Sequence, residues 1–485
     1  MIDKDVIVIG AGPAGLAAAD ALAGAGLAVL MLDEQAAAGG QVYRGIDSSR
    51  LDAAGVLDQD YWTGRTLTRA PNLARVEIAY QSKVWHIAEG NQVSYLQAGR
   101  AQTARGKFLV IATGARERPV AIPGWTLPGV MTAGAAQILL KTASVTADDA
   151  VFAGSGPLLY LIAAQYLAAG ARIKTILDTT PGANYLRAAA SLLPCLGNQQ
   201  LYKGLGMLAR LMRSEVPFHR GVTGIQAQGT SALSQVSWTR GGKRHTLDCN
   251  ALFLHQGVVP NIEMPLAAGC DWVWSEARLC WEIPVDVHGA SSVPTVFVVG
   301  DGARIIGAKA AVLSGKLAAS RIAALAGVGA AASQGEAQGN SLGNPQNNAP
   351  QNNAPQNKPY DTPHDKPLLR LRKRELRMRQ FLDRLYRPDE ASILSADPQT
   401  VVCRCENLRI QDLVSTVPDA GADLNFVKSA SRCGMGPCQG RQCSHSTALL
   451  ARRADPAQHQ PVPLRPRSPL APLSLQELAS YKDVS

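Results

Sequence analysis

Residues 5–35 read DVIVIGAGPAGLAAADALAGAGLAVLMLDEQ. The apolar run Val6–Ile9 meets Gly10-Ala11-Gly12-Pro13-Ala14-Gly15, and an Ala/Leu helix pattern follows. A second apolar run ends on Asp33-Glu34. Each residue type has a physical reason. Gly10 permits the tight turn, Gly12 lets backbone approach a pyrophosphate, and Gly15 lets helix and strand pack closely. Pro13 and Ala14 open the helix, whose free N–H groups and positive dipole end face an anion. Asp33 stands 23 residues after Gly10, at a strand end, where a carboxylate can accept from ribose hydroxyls, and Glu34 is its neighbouring candidate. The stretch therefore predicts a dinucleotide cradle in a parallel α/β fold of Rossmann-like type.

Three further stretches favour FAD as the dinucleotide. In GGQVYR, Gly40 and Gln41 follow the acid and approach the flavin side. VIATGARERP is an apolar strand ending at Ala112-Thr113-Gly114. VFVVGDGARIIGAKAA puts Gly300-Asp301 between a strand and a helix. There Asp301 can bond a ribityl chain, or simply cap the helix. Together these stretches resemble the flavoproteins with two dinucleotide domains, whose best-known members are glutathione and thioredoxin reductases.

A second unit, DAVFAGSGPLLYLIAAQYLAAGARIKTILDTT, begins its glycine loop at Gly154, 144 residues after Gly10. Gly154 and Gly156 are in place, but Leu159 stands where a small residue belongs, and Asp178 lies 24 residues on, one step late. Productive NAD(P)H binding there is the weaker expectation, and a retained fold that binds another nucleotide, or nothing, the stronger. The cysteines of this part, Cys195, Cys249, Cys270 and Cys280, form no CxxC or CxxxxC pair. Disulfide reduction thus has no visible centre. His255, in LFLHQGVVPN, reads as structural rather than flavin-facing.

The expected order is a FAD-binding domain over 1–120 and 285–330, with a second nucleotide domain (121–284) inserted in it. A Gln/Asn/Pro linker (331–365) follows, too polar to offset its ordering entropy. Then come a basic helix (366–398), a cysteine module (399–455) and a Pro-rich tail (456–485), whose PLAPLSLQELASY suggests a short docking helix. The chain of 485 residues carries a net charge of +10, concentrated in KPLLRLRKRELRMRQFLDRLY with eight cations against two acids. Its apolar stripe, Leu371, Met378, Leu382 and Leu385, predicts a solvated helix packed on its own domain, with a subunit or an anionic lipid surface as alternatives. No base-reading motif appears, so nucleic acid is not an expected partner. No apolar run of about 18 residues suggests a membrane span. The N-terminus shows no secretory leader, so the expected place is the cytoplasm, with peripheral contact at the inner membrane face left open.

Five of nine cysteines gather late in the chain, as Cys403-Arg404-Cys405 and as SRCGMGPCQGRQC. Four thiolates from two turns can hold a two-iron cluster or one zinc, and free thiols are the remaining alternative. Gly434, Gly436 and Gly440 let backbone wrap the site. The stretch VVCRCENLRIQDLV…GADLNFVKSASRCGMGPCQGRQC resembles the bacterioferritin-associated-ferredoxin type of 2Fe–2S module. With GGQVYR, IPGWTLPGVMTAGAAQ, GSGPLL, GVVPN and LDRLYRP in order, nearly the whole chain is similar to the FAD-containing subunits of heteromeric amine dehydrogenases. That group includes the opine oxidase A, hydrogen cyanide synthase B and D-hydroxyproline dehydrogenase alpha subunits.

The resemblance implies Cys403, Cys405, Cys438 and Cys443 as ligands and Cys433 as a bystander. It also implies an enzyme subunit that carries electrons while an amino-acid-oxidase-like flavoprotein partner oxidises a C–N bond. A small ferredoxin-like subunit and a quinone or respiratory-chain acceptor belong to the same expectation. Its catalytic residues are not assigned. A self-sufficient NAD(P)H oxidoreductase and a non-enzymatic iron-handling or scaffold protein are the alternative readings.

Overall fold

The structure, a computed structural model, describes residues 2–51, 55–328, 365–417, 423–454 and 460–481. The linker expected over 331–365 lies outside the described residues apart from Asp365.

The run Val6–Ile9 is buried on both faces, as an unalternating apolar strand should be in a parallel sheet. Ile2–Ile9 lies between Val29–Leu32 and Arg100–Ile111, parallel to both. Glu77–Ala79 and Val296–Val298 extend the parallel part at either side. The front half of Arg100–Ile111 turns to an antiparallel meander with Gln92–Gln97 and Ser82–Ala88. Residues from 296 onwards thus return to the sheet begun by residue 2, and the intervening chain forms a second unit.

That second unit is a five-stranded sheet in the order Phe218–Arg220, Ile173–Asp178, Ala150–Ser155, Leu252–Gln256, Val130–Thr132, all parallel. An antiparallel sheet of three strands, between Thr223 and Asp248, flanks it. Two short strands, Ala115–Glu117 and Val258–Pro260, pair where the chain crosses between units. Next to them Arg118 is 1% exposed and donates to the carbonyls of Gln256 (3.0 Å) and Leu279 (2.7 Å).

The helix Pro13–Gly24 is the centre of the first unit. A Cβ on Gly15 would lie 1.9 Å from the Gly10 carbonyl oxygen. One on Gly315, in the helix Ala308–Leu325, would lie 2.1 Å from the Ala14 carbonyl oxygen. One on Gly300 would lie 2.8 Å from the Ala14 Cβ. Strand, first helix and last helix therefore touch backbone to backbone.

The basic helix Asp365–Leu385 is not a solvated appendage. Met378 and Phe381 are buried against Ala188 and Cys195 of the second unit, while Leu371 of the expected stripe is half exposed. Arg372 donates to the Val287 carbonyl and Arg374 to the Gly197 carbonyl. Asp383 is held by both Arg278 and Arg379. The helix thus clamps both units, and two of its cations, Arg372 and Arg374, serve chain carbonyls. Among the described residues no helix is long and apolar enough to cross a membrane.

The cysteine module shares a core with the first sheet: Ile7, Leu30, Leu109 and Trp281 lie in one apolar cluster with Val402, Leu449 and three of the cysteines. Trp281 is 2% exposed and donates its indole N–H to the Pro461 carbonyl at 2.6 Å. Trp125 donates to the Val401 carbonyl at 2.7 Å. The expected tail helix is Leu475–Ala479, closed by a Ser474–Glu477 capping box. It docks within the chain, with Tyr481 edge-on to Trp85. Trp281→Ala removes a buried aromatic and a hydrogen bond, and should cost about 3–5 kcal/mol. Thermal unfolding should show a lower midpoint, and thiol titration should find the module cysteines more reactive.

Candidate functional site

The first glycine loop separates glycines needed by the chain from one that is not. Gly10 has φ +107°, and a Cβ there would meet the Ala112 carbonyl oxygen at 2.5 Å. Gly15 is equally constrained. Gly12, at φ −80°, is in ordinary backbone, and its Cβ would find only Gly40 Cα at 3.8 Å. Packing against the described residues does not require glycine at 12. Gly40 lies back to back with it: φ is +58°, and a Cβ would come 2.8 Å from Gly12 Cα. Gly39 N–H donates to the Ala11 carbonyl at 2.8 Å and fixes this approach.

Asp33 sits at the strand end, where its Oδ2 accepts from Ala11 N–H at 2.6 Å and its Oδ1 from Gln35 N–H at 2.7 Å. Burial pushes its carboxyl above the usual range, against those two bonds. It shapes the loop directly. Glu34 points outward to Gln35, and Gln41 is exposed. Thr113 and Gly114 are pinned by Asn261, which donates from Nδ2 to the Thr113 carbonyl (2.8 Å) and from its N–H to the Gly114 carbonyl (3.0 Å). Gly302 backs onto Gly114 N at 3.3 Å from a built Cβ. Asp301 Oδ1 accepts from Ile306 N–H (2.7 Å) and Gly307 N–H (2.8 Å), closing the turn into the last helix. Burial raises its carboxyl too.

Sequence reasoning overlooked three supports. Asn261 is one; Lys141 and Tyr61 are the others. Lys141 donates from Nζ to the Val42 carbonyl (3.0 Å), and the Tyr61 hydroxyl donates to the Arg44 carbonyl (2.7 Å). Burial lowers the Lys141 ammonium to about 8. A lone lysine in an Ala/Leu helix carries no local signal of this role. Asn261 had one, in GVVPN.

The second loop keeps the turn and loses the cradle. Gly154 is forced by the His255 carbonyl, 1.8 Å from a built Cβ. Leu159 is fully buried and fills the space that a small residue would leave. Asp178 is 1% exposed, accepts from Thr180 N–H at 2.8 Å, and has the Thr180 and Tyr160 hydroxyls as further donors. His255 is buried against Gly156, with Nδ1 2.5 Å from Glu117 Oε1. Glu117 Oε2 in turn accepts from Gly134 N–H at 2.7 Å. The acid that would meet a ribose is thus enclosed by protein donors, and the residues present fit a second dinucleotide poorly.

The late cysteines converge from two turns. Val401–Cys403 and Leu408–Arg409 form a small hairpin presenting Cys403 and Cys405. The loop from Arg432 to Cys443 presents the other three, with Arg432 (φ 68°), Gly434 (89°) and Gly440 (81°) in left-handed conformations. Cys403, Cys433 and Cys443 bring their sulfurs within 4.8 Å of one another, all buried. Cys405 is exposed, Cys438 half exposed, and their thiols are within hydrogen-bond reach. A Cβ on Gly436 would strike Cys405 Cβ at 2.2 Å, so glycine there allows the two turns to meet. The Cys433 and Cys443 thiols, then Gly434 and Glu406 N–H, donate towards Cys403 and hold its thiol well below the usual range. Gln442 and Gly440 N–H point at Cys438, whose thiol burial nevertheless raises. An all-sulfur set with amides aimed at it suits a thiophilic metal. Cys433, expected apart, lies inside the group.

These features define a flavin-dependent oxidoreductase. The chain matches the pyridine nucleotide-disulphide oxidoreductase family over residues 4–318 and belongs to it. It is 36% identical to the opine oxidase A subunit of Agrobacterium tumefaciens (strain Ach5), over 98% of this chain and 91% of that one. It is 29% identical to hydrogen cyanide synthase subunit HcnB of Pseudomonas aeruginosa, over 96% of each. Among solved structures it shares the fold of L-proline dehydrogenase from P. horikoshii, with TM-score 0.66, 17% identity, and coverage of 98% and 79%.

Gly12→Val should fold with unchanged secondary structure and emerge without bound flavin. Circular dichroism with the visible flavin spectrum of the purified protein checks both halves, and a stoichiometric flavin in the variant would show the loop misread.

Proposed function

We propose that this chain is the FAD- and 2Fe–2S-bearing electron-transfer subunit of a multi-subunit dehydrogenase acting on an amino acid, imino acid or opine. The observation that carries the reading is a convergent thiol group built into the same core as a flavin-type dinucleotide fold. Three features support it. The glycine at 12 has no protein reason. No redox cysteine pair flanks the loop: Cys195, Cys249, Cys270 and Cys280 are separate and buried. The relatives are named as subunits of opine oxidase and hydrogen cyanide synthase.

The residues that would hold FAD are Gly10, Gly12, Pro13, Ala14 and Gly15 at the pyrophosphate, and Asp33 with neighbouring Glu34 at the ribose end. Gly40 with Gln41, Thr113 with Gly114, and Gly300 with Asp301 lie along the rest of its length. Cys403, Cys405, Cys438 and Cys443 would hold the cluster. When bound, FAD accepts electrons in pairs and a 2Fe–2S centre passes them singly. The chain's own part is to orient and shield. Asn261 fixes the Thr113–Gly114 turn, Lys141 and Tyr61 fix the loop after Gly40, and the amides around the cysteines steady thiolates. No general base is assigned. C–N oxidation belongs to an amino-acid-oxidase-like flavoprotein partner, a small ferredoxin-like subunit completes the assembly, and a quinone or respiratory carrier takes the electrons. The enclosure of Asp178 weighs against a self-sufficient NAD(P)H oxidoreductase.

Anaerobic protein should contain two irons per chain and give a rhombic S = 1/2 signal after dithionite reduction. Zinc without a signal would make the module structural. NADH and NADPH should leave the flavin oxidised on the stopped-flow timescale; rapid bleaching by either would favour the self-sufficient enzyme. Co-expression with a candidate partner flavoprotein subunit should yield a complex in which an amino acid, imino acid or opine bleaches this chain's flavin.

A further inference from the structure

Cys433 is the thiol that a four-ligand assignment leaves over. It is 3% exposed, and its sulfur is within 4.8 Å of both Cys403 and Cys443. The five thiols divide by position. Cys403 and Cys443 lie together in the interior, and Cys405 and Cys438 lie together nearer solvent. Each pair takes one sulfur from the hairpin and one from the glycine-rich loop, and two pairs match the two thiolates that each of two irons needs. Cys433 stands on the interior side only.

We propose that Cys433 is a positioning residue whose S–H donates to the Cys403 thiolate of the bound cluster and raises the cluster's reduction potential. This rests on the cluster reading above. A thiol has a single hydrogen, and two acceptors compete for it. Thr447 Oγ1 is 3.4 Å from Cys433 Sγ, and its own hydrogen goes to the Cys443 carbonyl at 3.0 Å, leaving a neutral lone pair. The Cys403 sulfur carries negative charge, and a charged acceptor makes the stronger bond. Adding one electron makes the cluster more negative without moving a proton. A fixed donor in a dry interior therefore stabilises the reduced form more than the oxidised form. Arg432 and Gly434, both at positive φ, turn the chain on either side of Cys433 and hold the sulfur inward. An exposed thiol would be open to oxidation, and this one is not.

The test is a redox titration of the full-length, cluster-loaded protein, followed by EPR, with iron content measured first. Wild type, Cys433→Ala and Cys433→Ser should carry equal iron and the same g-values. At the potential where wild type is half reduced, the reduced-to-oxidised ratio of Cys433→Ala should fall about threefold or more. Cys433→Ser, whose hydroxyl still donates, should recover most of that loss. Thr447→Val removes the competing acceptor and should move the ratio the other way. An unchanged ratio in Cys433→Ala with full iron would leave Cys433 a buried filler and overturn the proposal. Loss of iron in Cys433→Ala, with iron retained in Cys405→Ala, would make it a ligand and overturn it equally. Wild-type protein that holds zinc or no iron would defeat the cluster reading itself, and this proposal with it.

Discussion

The backbone contact between the helix Pro13–Gly24 and its two neighbours governs the geometry of everything around it. Gly15 rests on the turn at Gly10, and Gly315 and Gly300 rest on Ala14. Two carbonyl oxygens and one Cβ, none of them on a rotatable side chain, set these distances, so the contact cannot relax by rotamer change. It brings the first loop, the Thr113–Gly114 turn and the Gly300–Asp301 turn to one edge of the sheet. The long excursion of the chain, from residue 111 to residue 296, is tolerated because the returning strand Val296–Val298 and helix Ala308–Leu325 have a defined seat.

On the other face of that sheet the protein does something less expected. It uses the cysteine module as its second layer. A parallel sheet must be covered on both faces, and here Trp281, Leu449 and the interior cysteines contribute to that cover. Sulfur chemistry and fold stability therefore depend on the same packing. The basic helix makes a similar link at the side. Its Asp383 is bound by Arg278 and Arg379, so charges that look solvated in the sequence serve to join units.

The first glycine loop was legible because its causes are local: strand, turn, helix and acid lie within about thirty residues. The weakness of the second loop was legible for the same reason, in Leu159 and the late Asp178. The Tyr160 hydroxyl beside Asp178 was not, because helix Pro157–Ala168 brings it there only when helix and strand end meet. Asp301 shows the limit again. Its helix-capping role is visible in Oδ1, which closes on Ile306 and Gly307, whereas a bond to a ribityl chain rests on a ligand. Of the expected stripe, Met378, Leu382 and Leu385 pack inward with Phe381, while Leu371 is half exposed. The family resemblance set Cys433 aside as a bystander, and two left-handed residues fold it inward beside Cys403 and Cys443. Positive φ at Arg432 is not something composition reveals.

The shared core has a consequence for how such a chain can change. A module that covers a sheet cannot be exchanged as a cassette. Cutting the chain before the basic helix would strip Trp281 of its Pro461 acceptor and lay bare a broad apolar face, the kind of surface that drives association. Substitutions on the two sides must therefore be matched to each other, however remote in sequence. Trp281 bonds the Pro461 carbonyl and Trp125 the Val401 carbonyl, so two indoles of the flavoprotein part are satisfied only by backbone of the later part.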